Sequence, residues 1–239
     1  MFPQPDAQPL SLAPFTALEG VADAIYNPLR SRLVIEARSR GIPAEGGLYM
    51  LVAQAVRASE LFRDTVFPPE LTEQIFRTLL RRKENIVLIG MPGSGKSAVG
   101  QELSRRTGLP LRDTDRLIEE RAGKSIPELF RESGEAAFRD LESEVIRELS
   151  LQGGQILSTG GGAVLRPENV RVLRQNGRLF WLDRDPEALV PTDDRPLADS
   201  AEKIRQLYAV REPVYRAAAD EIIPVRGTPA DTAAEIESR

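Results

Sequence analysis

The sequence predicts an α/β protein with three layers, in which helices cover both faces of a five-stranded parallel sheet, preceded by a small, mostly helical segment. Three observations carry this prediction. From Lys83 onward, short apolar runs alternate with helical patterns, which is typical of a parallel sheet. A glycine-rich turn at residues 90–97 joins the first of these runs to a helix. Upstream, residues 1–82 show one strand pattern and three helix patterns.

The N-terminal segment is predicted to hold one strand and three helices. The strand covers residues 21–26 and is stopped by Asn27-Pro28. The helices cover residues 29–40, 48–63 and 70–82, and the second carries an apolar stripe of Leu51, Ala55, Ala58 and Phe62. Because a lone strand has unpaired edges and needs partners in another sheet, this segment is expected to be a piece of something larger.

The remainder of the chain alternates regularly. Strands are expected at about residues 85–90, 110–113, 155–159, 178–183 and 221–225. Helices are expected at about residues 96–107, 114–133, 135–152, 167–176, 199–217 and 229–238. The lengths between strands suit right-handed crossovers, and ligands of such sheets bind beyond the carboxyl ends of the strands. Residues that carry chemistry are therefore expected there.

The composition excludes several kinds of site. The chain has 239 residues and a net charge of −4. Residues 1–82 carry nine basic and nine acidic side chains, so the negative net charge belongs to residues 83–239. Neither part therefore has the basic excess that favours binding of nucleic acid. Without Cys there is no zinc thiolate or cysteine nucleophile, and without His a proton acceptor must be a carboxylate, Lys or Tyr. No apolar run is long enough to span a bilayer and no signal peptide is visible, so a cytoplasmic location is expected.

The glycine-rich turn matches a phosphate loop. Residues 90–97 fit the pattern G-x-x-x-x-G-K-[ST] at every fixed position, and a chance turn is the alternative. Backbone N–H groups converge on a phosphate in such a loop, and side chains at its glycines would obstruct them. The pattern assigns Lys96 to the β- and γ-phosphates and the Ser97 hydroxyl to Mg²⁺. The predicted ATP-binding residues are Gly93, Ser94, Gly95, Lys96, Ser97 and Ala98.

Two carboxylates end the second strand of this region, in Asp113-Thr114-Asp115. Carboxylates two residues apart can divide their roles, one facing the hydration shell of a metal and the other a substrate hydroxyl. The alternative is an aspartate that caps the next helix. Since the pair is expected opposite the phosphate loop, we favour the functional interpretation.

The third strand of this region ends in Ser158-Thr159-Gly160-Gly161-Gly162. Three consecutive glycines bring the backbone close to another group and leave N–H groups available to donate, or they form a flexible turn.

Three arginines are candidate anion ligands. Arg139 and Glu142 are either a solvated ion pair on a helix or an arginine held in place to receive a carboxylate. Arg195, in a loop between the fourth strand and the next helix, suits a lid that adds positive charge to a transferring phosphate. Arg211 is expected to end a helix turn before Pro213. Taken singly, each arginine is more typical of the protein surface than of a binding site.

In combination these stretches resemble the shikimate kinase family. The motifs are Gly-x-x-x-x-Gly-Lys-Ser, Asp-Thr-Asp, Gly-Glu-x-x-Phe-Arg, Thr-Gly-Gly-Gly, Arg-Pro-Leu and Arg-x-Pro-x-Tyr, in that order over about residues 84–226. The resemblance implies a P-loop kinase of three-layer α/β/α fold. It implies transfer of the γ-phosphoryl group of ATP to the 3-hydroxyl of shikimate, in the chorismate pathway to aromatic amino acids.

The resemblance also implies roles at the nucleotide end. Lys96 and Ser97 bind phosphate and Mg²⁺, and Asp113 contacts the metal through water. Arg195 is the lid arginine, which contacts ATP and takes part in catalysis. One departure concerns residues 186–192, a short stretch without the additional arginine that many relatives place near adenine.

At the substrate end, the resemblance implies that Asp115 hydrogen-bonds the shikimate hydroxyls and is the candidate base. Arg139, Gly161 and Arg211 hold the substrate, with the two arginines on its carboxylate. The expected ligands are ATP with Mg²⁺ and shikimate, without nucleic acid or membrane, and the kinase domain is expected to be monomeric.

The N-terminal segment resembles the C-terminal end of shikimate dehydrogenases over about residues 1–63. The likeness rests on Tyr26-Asn27-Pro28-Leu29, Gly41, Gly47-Leu48 and residues 50–55. It implies contacts of Tyr26 and Gln54 with shikimate and of Gly47 with the nicotinamide nucleotide. The catalytic Lys and Asp of that family and its dinucleotide fingerprint are missing, so these residues are interpreted as packing only. The predicted domains are a remnant at 1–63, a helical linker at 64–82 and a kinase at 83–239.

Two other functions stay open at this point. One is another P-loop small-molecule or nucleoside-monophosphate kinase, which would need residues that recognise a base. The other is an inactive scaffold that docks a dehydrogenase, which the intact Lys96, Ser97 and Asp115 do not favour.

Overall fold

The computed structural model describes residues 7–189 and 201–239. It divides into two compact units. The N-terminal unit runs up to Glu84 and includes Arg174–Asn176, and the C-terminal unit comprises Asn85–Leu173 and Gly177–Arg239. Within the described residues, no helix has both the length and the apolar character needed to cross a membrane.

The N-terminal unit contains a small parallel sheet. β1 (Val21–Ala22) pairs with β2 (Ala44–Glu45), and α1 (Arg32–Ser39) lies between them in sequence. The prediction of a strand over residues 21–26 is therefore wrong in length, and the inference that this strand needs a partner in another sheet is also wrong. β2 was not predicted because two residues are too few to show a period of two.

A small apolar core supports this sheet. Its buried members are Leu12, Val34, Ala37 and Ala44. The Ser31 side chain accepts a hydrogen bond from the Val34 N–H at 3.3 Å and so caps α1, which begins three residues later than predicted.

Two further helices complete the unit, α2 (Leu48–Arg63) and α3 (Glu70–Lys83). The predicted apolar stripe of α2 does not face a core, since Phe62 is 90% exposed, whereas Leu48 and Val52, one turn apart, are buried. The rings of Tyr49 and Phe76 meet edge to face with centroids 5.4 Å apart, which joins the two helices.

The C-terminal unit confirms the predicted five-stranded parallel sheet. Its strands are β3 (Asn85–Ile89), β4 (Leu111–Asp113), β5 (Ile156–Ser158), β6 (Gly177–Asp183) and β7 (Glu221–Pro224). They lie in the order β4-β5-β3-β6-β7, and every pair is parallel. The carboxyl ends of β3, β4 and β5 therefore meet along one edge of the sheet.

Six α-helices accompany this sheet among the described residues: α4 (Lys96–Thr107), α5 (Thr114–Ala122), α6 (Ile126–Ser150), α7 (Pro167–Asn176), α8 (Ala201–Ala218) and α9 (Pro229–Ser238). Successive side chains of a strand point to opposite faces. Val87 and Ile89 of β3 accordingly pack with α6, α7 and α8, and Leu88 packs with α4 and α9. Helices thus cover both faces of the sheet, which gives the predicted three layers.

Glycines set the boundaries in the long helical region after β4. A single helix over residues 114–133 is not formed, because Gly123 has a φ of 65° and ends α5. Ser125 and Glu128 then form a capping box that begins α6. The backbone of α6 is interrupted at Gly134, where φ is 77° and ψ is 170°. The predicted break between residues 133 and 135 is therefore a kink within α6.

The helix predicted over residues 199–217 is confirmed from Ala201 onward, but the expectation that Arg211 ends a turn before Pro213 is wrong. α8 continues through Pro213 to Ala218. Tyr215 and Ala218, beyond the proline, are buried in the core. Their burial outweighs the loss of the proline N–H, which removes only one helix hydrogen bond.

Candidate active site

The phosphate loop follows β3, the central strand of the sheet. Gly93 and Gly95 have φ values of 82° and 98°, which side chains disfavour, and α4 begins at Lys96. Lys96 is 8% exposed, and its Nζ donates to the carbonyl oxygens of Gly90 at 2.9 Å and Met91 at 2.8 Å. The ammonium group is thus held inside the loop, at the positive N-terminal end of α4.

Asp113 connects the end of β4 to the phosphate loop. Its Oδ2 accepts a hydrogen bond from Ser97 Oγ at 2.9 Å. Its Oδ1 accepts from the backbone N–H groups of Asp115 and Arg116, so Asp113 caps α5. The helix-capping alternative is therefore confirmed, and the second carboxylate oxygen still faces the hydroxyl of the loop.

Thr114 links β4 to the glycine triplet after β5. The Gly160 N–H donates to Thr114 Oγ1 at 3.0 Å, and Thr114 is fully buried. A Cβ atom on Gly160 would lie 2.6 Å from Asp115 Oδ1 and 2.7 Å from Glu142 Oε1. Both carboxylates therefore lie against Gly160, and the absence of a side chain there makes room for them.

The other two glycines of the triplet are also closely packed. A Cβ atom on Gly161 would lie 2.7 Å from Pro92 Cδ, and one on Gly162 would overlap the guanidinium group of Arg139. At each glycine of the triplet, a different neighbouring group occupies the space that a side chain would need. Such close packing argues against the alternative of a flexible turn.

Arg139 and Glu142 form a buried ion pair on α6. Arg139 Nη1 lies 2.7 Å from Glu142 Oε2; Glu142 is fully buried and Arg139 is 9% exposed. Burial raises the pKa of Glu142. Burial also opposes the charge of Arg139, but the Glu142 carboxylate outweighs this effect and raises the guanidinium pKa. The alternative of a solvated pair is wrong, because these side chains lie inside the protein.

Arg211 approaches the same triplet from α8. It is 4% exposed, and its Nη1 donates to the Gly161 carbonyl oxygen at 3.2 Å. Arg139 and Arg211 therefore contact consecutive glycines, one from α6 and one from α8. Two buried cations beside one backbone segment favour an anionic ligand.

A cavity of about 550 Å³ unites these groups. Residues from the phosphate loop, the end of β4, the glycine triplet, α6 and α8 line it, and among them are Gly93, Gly95, Lys96, Ser97, Ala98, Asp113, Asp115, Arg139, Gly161 and Arg211. Ser94 lies behind the loop, where it is fully buried and its N–H donates to the Met91 carbonyl. Arg195 lies outside the described residues.

Some cavity residues were not predicted. Glu119, Ser125, Ile126, Pro127 and Phe130 line the cavity at the end of α5 and the first turns of α6. The rings of Phe130 and Phe138 pack with centroids 4.8 Å apart and give one wall an apolar surface. Phe138 stands beside Arg139 in a predicted motif, whereas nothing in the spacing of Phe130 connects it to the phosphate loop.

These features define a class of protein. A phosphate loop follows the central strand of a parallel sheet, and acidic and basic side chains share its cavity at the carboxyl edge. This is the architecture of a P-loop kinase that acts on a small molecule.

Comparisons with known proteins narrow this class. The sequence model of the shikimate kinase family matches residues 92–239. The shikimate kinase of Paracidovorax citrulli is 47% identical over 153 residues, which cover 60% of this chain and 84% of that protein. The solved shikimate kinase of Acinetobacter baumannii, in complex with shikimate, superposes with a TM-score of 0.64 at 33% identity, covering 67% of this chain and 94% of the other. That of Aquifex aeolicus gives 0.58 at 34% identity, covering 64% and 94%.

The chain belongs to the shikimate kinase family. Its activity is the ATP-dependent phosphorylation of the 3-hydroxyl of shikimate, a step of aromatic amino acid biosynthesis. The predicted fold class and enzyme class are confirmed. The family match begins at Pro92, and neither it nor the relatives described above show the dehydrogenase fragment that was expected at residues 1–63.

Proposed function

We propose that the cavity binds the ATP phosphates at its phosphate-loop end and shikimate between Asp115, Arg139, Gly161 and Arg211. The observation that carries this proposal is the shared cavity, which brings two buried arginines and a carboxylate to the phosphate loop. Shikimate is a small carboxylate with several hydroxyl groups, so it needs cations at one end and a hydrogen-bond acceptor at the other. The relative from Acinetobacter baumannii was solved with shikimate bound, which supports the proposal.

At the nucleotide end, Lys96 exchanges its loop carbonyl partners for phosphate oxygens and stabilises the charge on the transferring group. The backbone of Gly93, Ser94, Gly95 and Ala98 completes this cradle. Ser97 Oγ and Asp113 Oδ2 lie 2.9 Å apart, and hydroxyl and carboxylate oxygens are ligands that suit Mg²⁺. When bound there, Mg²⁺ would neutralise charge on the β- and γ-phosphate oxygens.

At the substrate end, Arg139 and Arg211 hold the shikimate carboxylate, and Asp115 accepts a hydrogen bond from the reacting hydroxyl. Asp115 lines the cavity beside Gly160, and the chain has no His to act as the base. For Arg195 we keep the role that the sequence implies, which is that of a lid arginine over the phosphates.

Release of ADP tests this proposal directly. The full chain with ATP is assayed with shikimate, with nucleoside monophosphates and with other small alcohols, each with and without Mg²⁺. We expect ADP release with shikimate and Mg²⁺ together. Equal rates with a nucleoside monophosphate would contradict the proposed substrate, and equal rates with and without Mg²⁺ would contradict the proposed metal.

Conservative replacement of the two arginines tests the carboxylate clamp. Arg139→Lys and Arg211→Lys keep the charge but lose the planar fork of the guanidinium group. We expect kcat/KM for shikimate to fall about ten- to hundredfold, while the affinity for ATP changes little. Steady-state kinetics with each substrate varied in turn measures both quantities.

Arg105→Lys is the matched control, because Arg105 also pairs with a glutamate three residues away but is 71% exposed. It should leave both kinetic parameters unchanged. If Arg139→Lys and Arg211→Lys weakened ATP and shikimate binding equally, the clamp would be refuted in favour of general damage to the site.

We further propose that residues 1–63 are a packed remnant of a shikimate dehydrogenase-like domain. Gly47 has a packing role, since its N–H donates to the Ile25 carbonyl and a Cβ atom there would overlap the Ala24 carbonyl. The Gln54 side chain donates to the Leu51 carbonyl of its own helix, and Tyr26 is 46% exposed. These contacts support a packing role for Gly47, and they leave the exposed Gln54 bonded within its own helix.

Deletion of residues 1–82 tests this interpretation. We expect the shortened chain to retain kinase activity, because every residue proposed for the site lies beyond residue 82. We expect no formation of NADPH by the full chain with NADP⁺ and shikimate, since hydride transfer needs a bound nicotinamide and a positioned proton donor. Measurable formation of NADPH would contradict the interpretation of residues 1–63 as a remnant. Loss of kinase activity in the shortened chain would show that residues 1–82 support the kinase fold.

A further inference from the structure

The Gly161 carbonyl oxygen accepts two hydrogen bonds from α8. Arg211 Nη1 donates to it at 3.2 Å and the Tyr215 hydroxyl donates at 2.5 Å. The two donors are four residues apart, so they lie one above the other on the same face of the helix. Arg211 has a proposed role in binding the substrate carboxylate, whereas Tyr215 has had no role so far.

The core fixes the position of the Tyr215 hydroxyl. The side chain is fully buried, and its ring stacks on Trp181 with centroids 5.9 Å apart and an interplanar angle of 22°. Trp181 lies in β6, paired in register with Ile89 of β3, immediately before the phosphate loop. Burial raises the pKa of Tyr215 to about 12, so the hydroxyl keeps the proton that it donates.

Fixing this carbonyl also fixes the peptide group between Gly161 and Gly162. A trans peptide is planar, and its C=O and N–H bonds point in opposite directions. Because the carbonyl points towards α8, the Gly162 N–H points away from that helix. The Ala163 N–H donates to the Gly160 carbonyl oxygen and closes a turn around this peptide. Because glycine accepts either orientation of the central peptide of such a turn, the hydrogen bonds from α8 select one of them.

We propose that Tyr215 is a positioning residue for shikimate: its hydroxyl orients the Gly161–Gly162 peptide, and with it the cavity face of the glycine triplet. This inference rests on the proposed function, in which Gly161 and Arg211 contact the substrate. The same carbonyl oxygen also anchors Arg211, which lines the cavity. Tyr215 itself does not line the cavity.

The variant Tyr215→Phe removes one hydroxyl and keeps the ring that packs on Trp181. We expect KM for shikimate to rise about five- to tenfold, as for loss of one buried hydrogen bond, while KM for ATP stays unchanged. The rise in melting temperature that shikimate alone produces should shrink accordingly, since it reports binding without catalysis.

Tyr208→Phe is the matched control. Tyr208 lies on the same helix, and its hydroxyl donates to Asp183 Oδ1 at 2.8 Å, away from the triplet. It makes the same chemical change and should leave KM for shikimate unchanged. If Tyr215→Phe lowered the melting temperature and left KM for shikimate at the wild-type value, the role of Tyr215 would be structural only, and the proposal would be overturned.

Arg139→Lys separates this inference from the proposed function. If Arg139→Lys weakens shikimate binding and Tyr215→Phe does not, the substrate site stands and the positioning role of Tyr215 fails. If neither variant changes KM for shikimate, the proposed site itself fails. Weakening by both variants, with unchanged KM for ATP, supports the positioning role.

Discussion

Replacing Lys96 with alanine is expected to lower kcat about 10²–10³-fold, which corresponds to about 2.7–4 kcal/mol in the activation barrier. The side chain is buried in the phosphate loop, where its Nζ lies within 2.9 Å of two backbone carbonyls. A cation so placed at the N-terminus of α4 stabilises negative charge that develops on the transferring phosphoryl group, and alanine leaves that charge unmatched. Single-turnover kinetics with saturating ATP and shikimate measures the effect on the chemical step.

Two further variants show what this result means. Lys96→Met keeps most of the volume and removes the charge, so it should match Lys96→Ala if charge is the cause. Lys83→Ala removes an exposed lysine at the end of α3 and should not change kcat. Near wild-type turnover in Lys96→Ala would refute the assignment of the phosphate loop. A similar loss in Lys83→Ala would point to a nonspecific effect of net charge.

The parts of the fold that the sequence predicted accurately are those with local boundary signals. The limits of α4 are reproduced to the residue, since the phosphate loop precedes it and Gly108, with a φ of 74°, follows it. α7 and α9 begin at Pro167 and Pro229, as predicted, because proline is favoured in the first turn of a helix. Local chemistry alone sets these boundaries.

The errors arose where tertiary contacts decide. β2 is two residues long and exists because β1 lies beside it, which no local period reveals. Phe62 reads as part of an apolar stripe but is exposed, whereas Val52 is buried. Arg211 does not end a turn before Pro213, because α8 runs through the proline, as the helix predicted over residues 199–217 requires, and the burial of Tyr215 compensates for the lost hydrogen bond.

The candidate site shows the same division between local and tertiary information. The glycine-rich pattern pointed to Lys96 and Ser97, because the phosphate loop is a single continuous segment. Sequence spacing did not reveal that Thr114 accepts from Gly160 or that Tyr215 donates to Gly161, since each pair is joined only by the fold. The i,i+3 spacing of Arg139 and Glu142 is the same in a solvated pair and a buried one, so burial had to come from the structure.

Asp115→Asn is expected to lower kcat about a hundredfold while the affinity for ATP changes little. The replacement keeps the shape of the side chain, which lies against Gly160, but it removes the negative charge that would accept the proton of the reacting hydroxyl. The fall in kcat should lie at the lower end of the range that is typical for removal of a general base, because the loose transition state of phosphoryl transfer needs little base strength. Measurements of kcat, KM for shikimate and the dissociation constant for ATP separate these contributions.

The division of the loss between kcat and KM identifies the role of Asp115. A fall in kcat at saturating shikimate indicates an interaction made in the transition state, whereas a rise in KM with unchanged kcat indicates binding alone. Asp64→Asn is the control, since Asp64 is exposed at the end of α2 with a φ of 48°, a conformation that asparagine also adopts. It should leave all three parameters unchanged. If Asp115→Asn kept full kcat and weakened only shikimate binding, Asp115 would position the substrate and would not act as the general base.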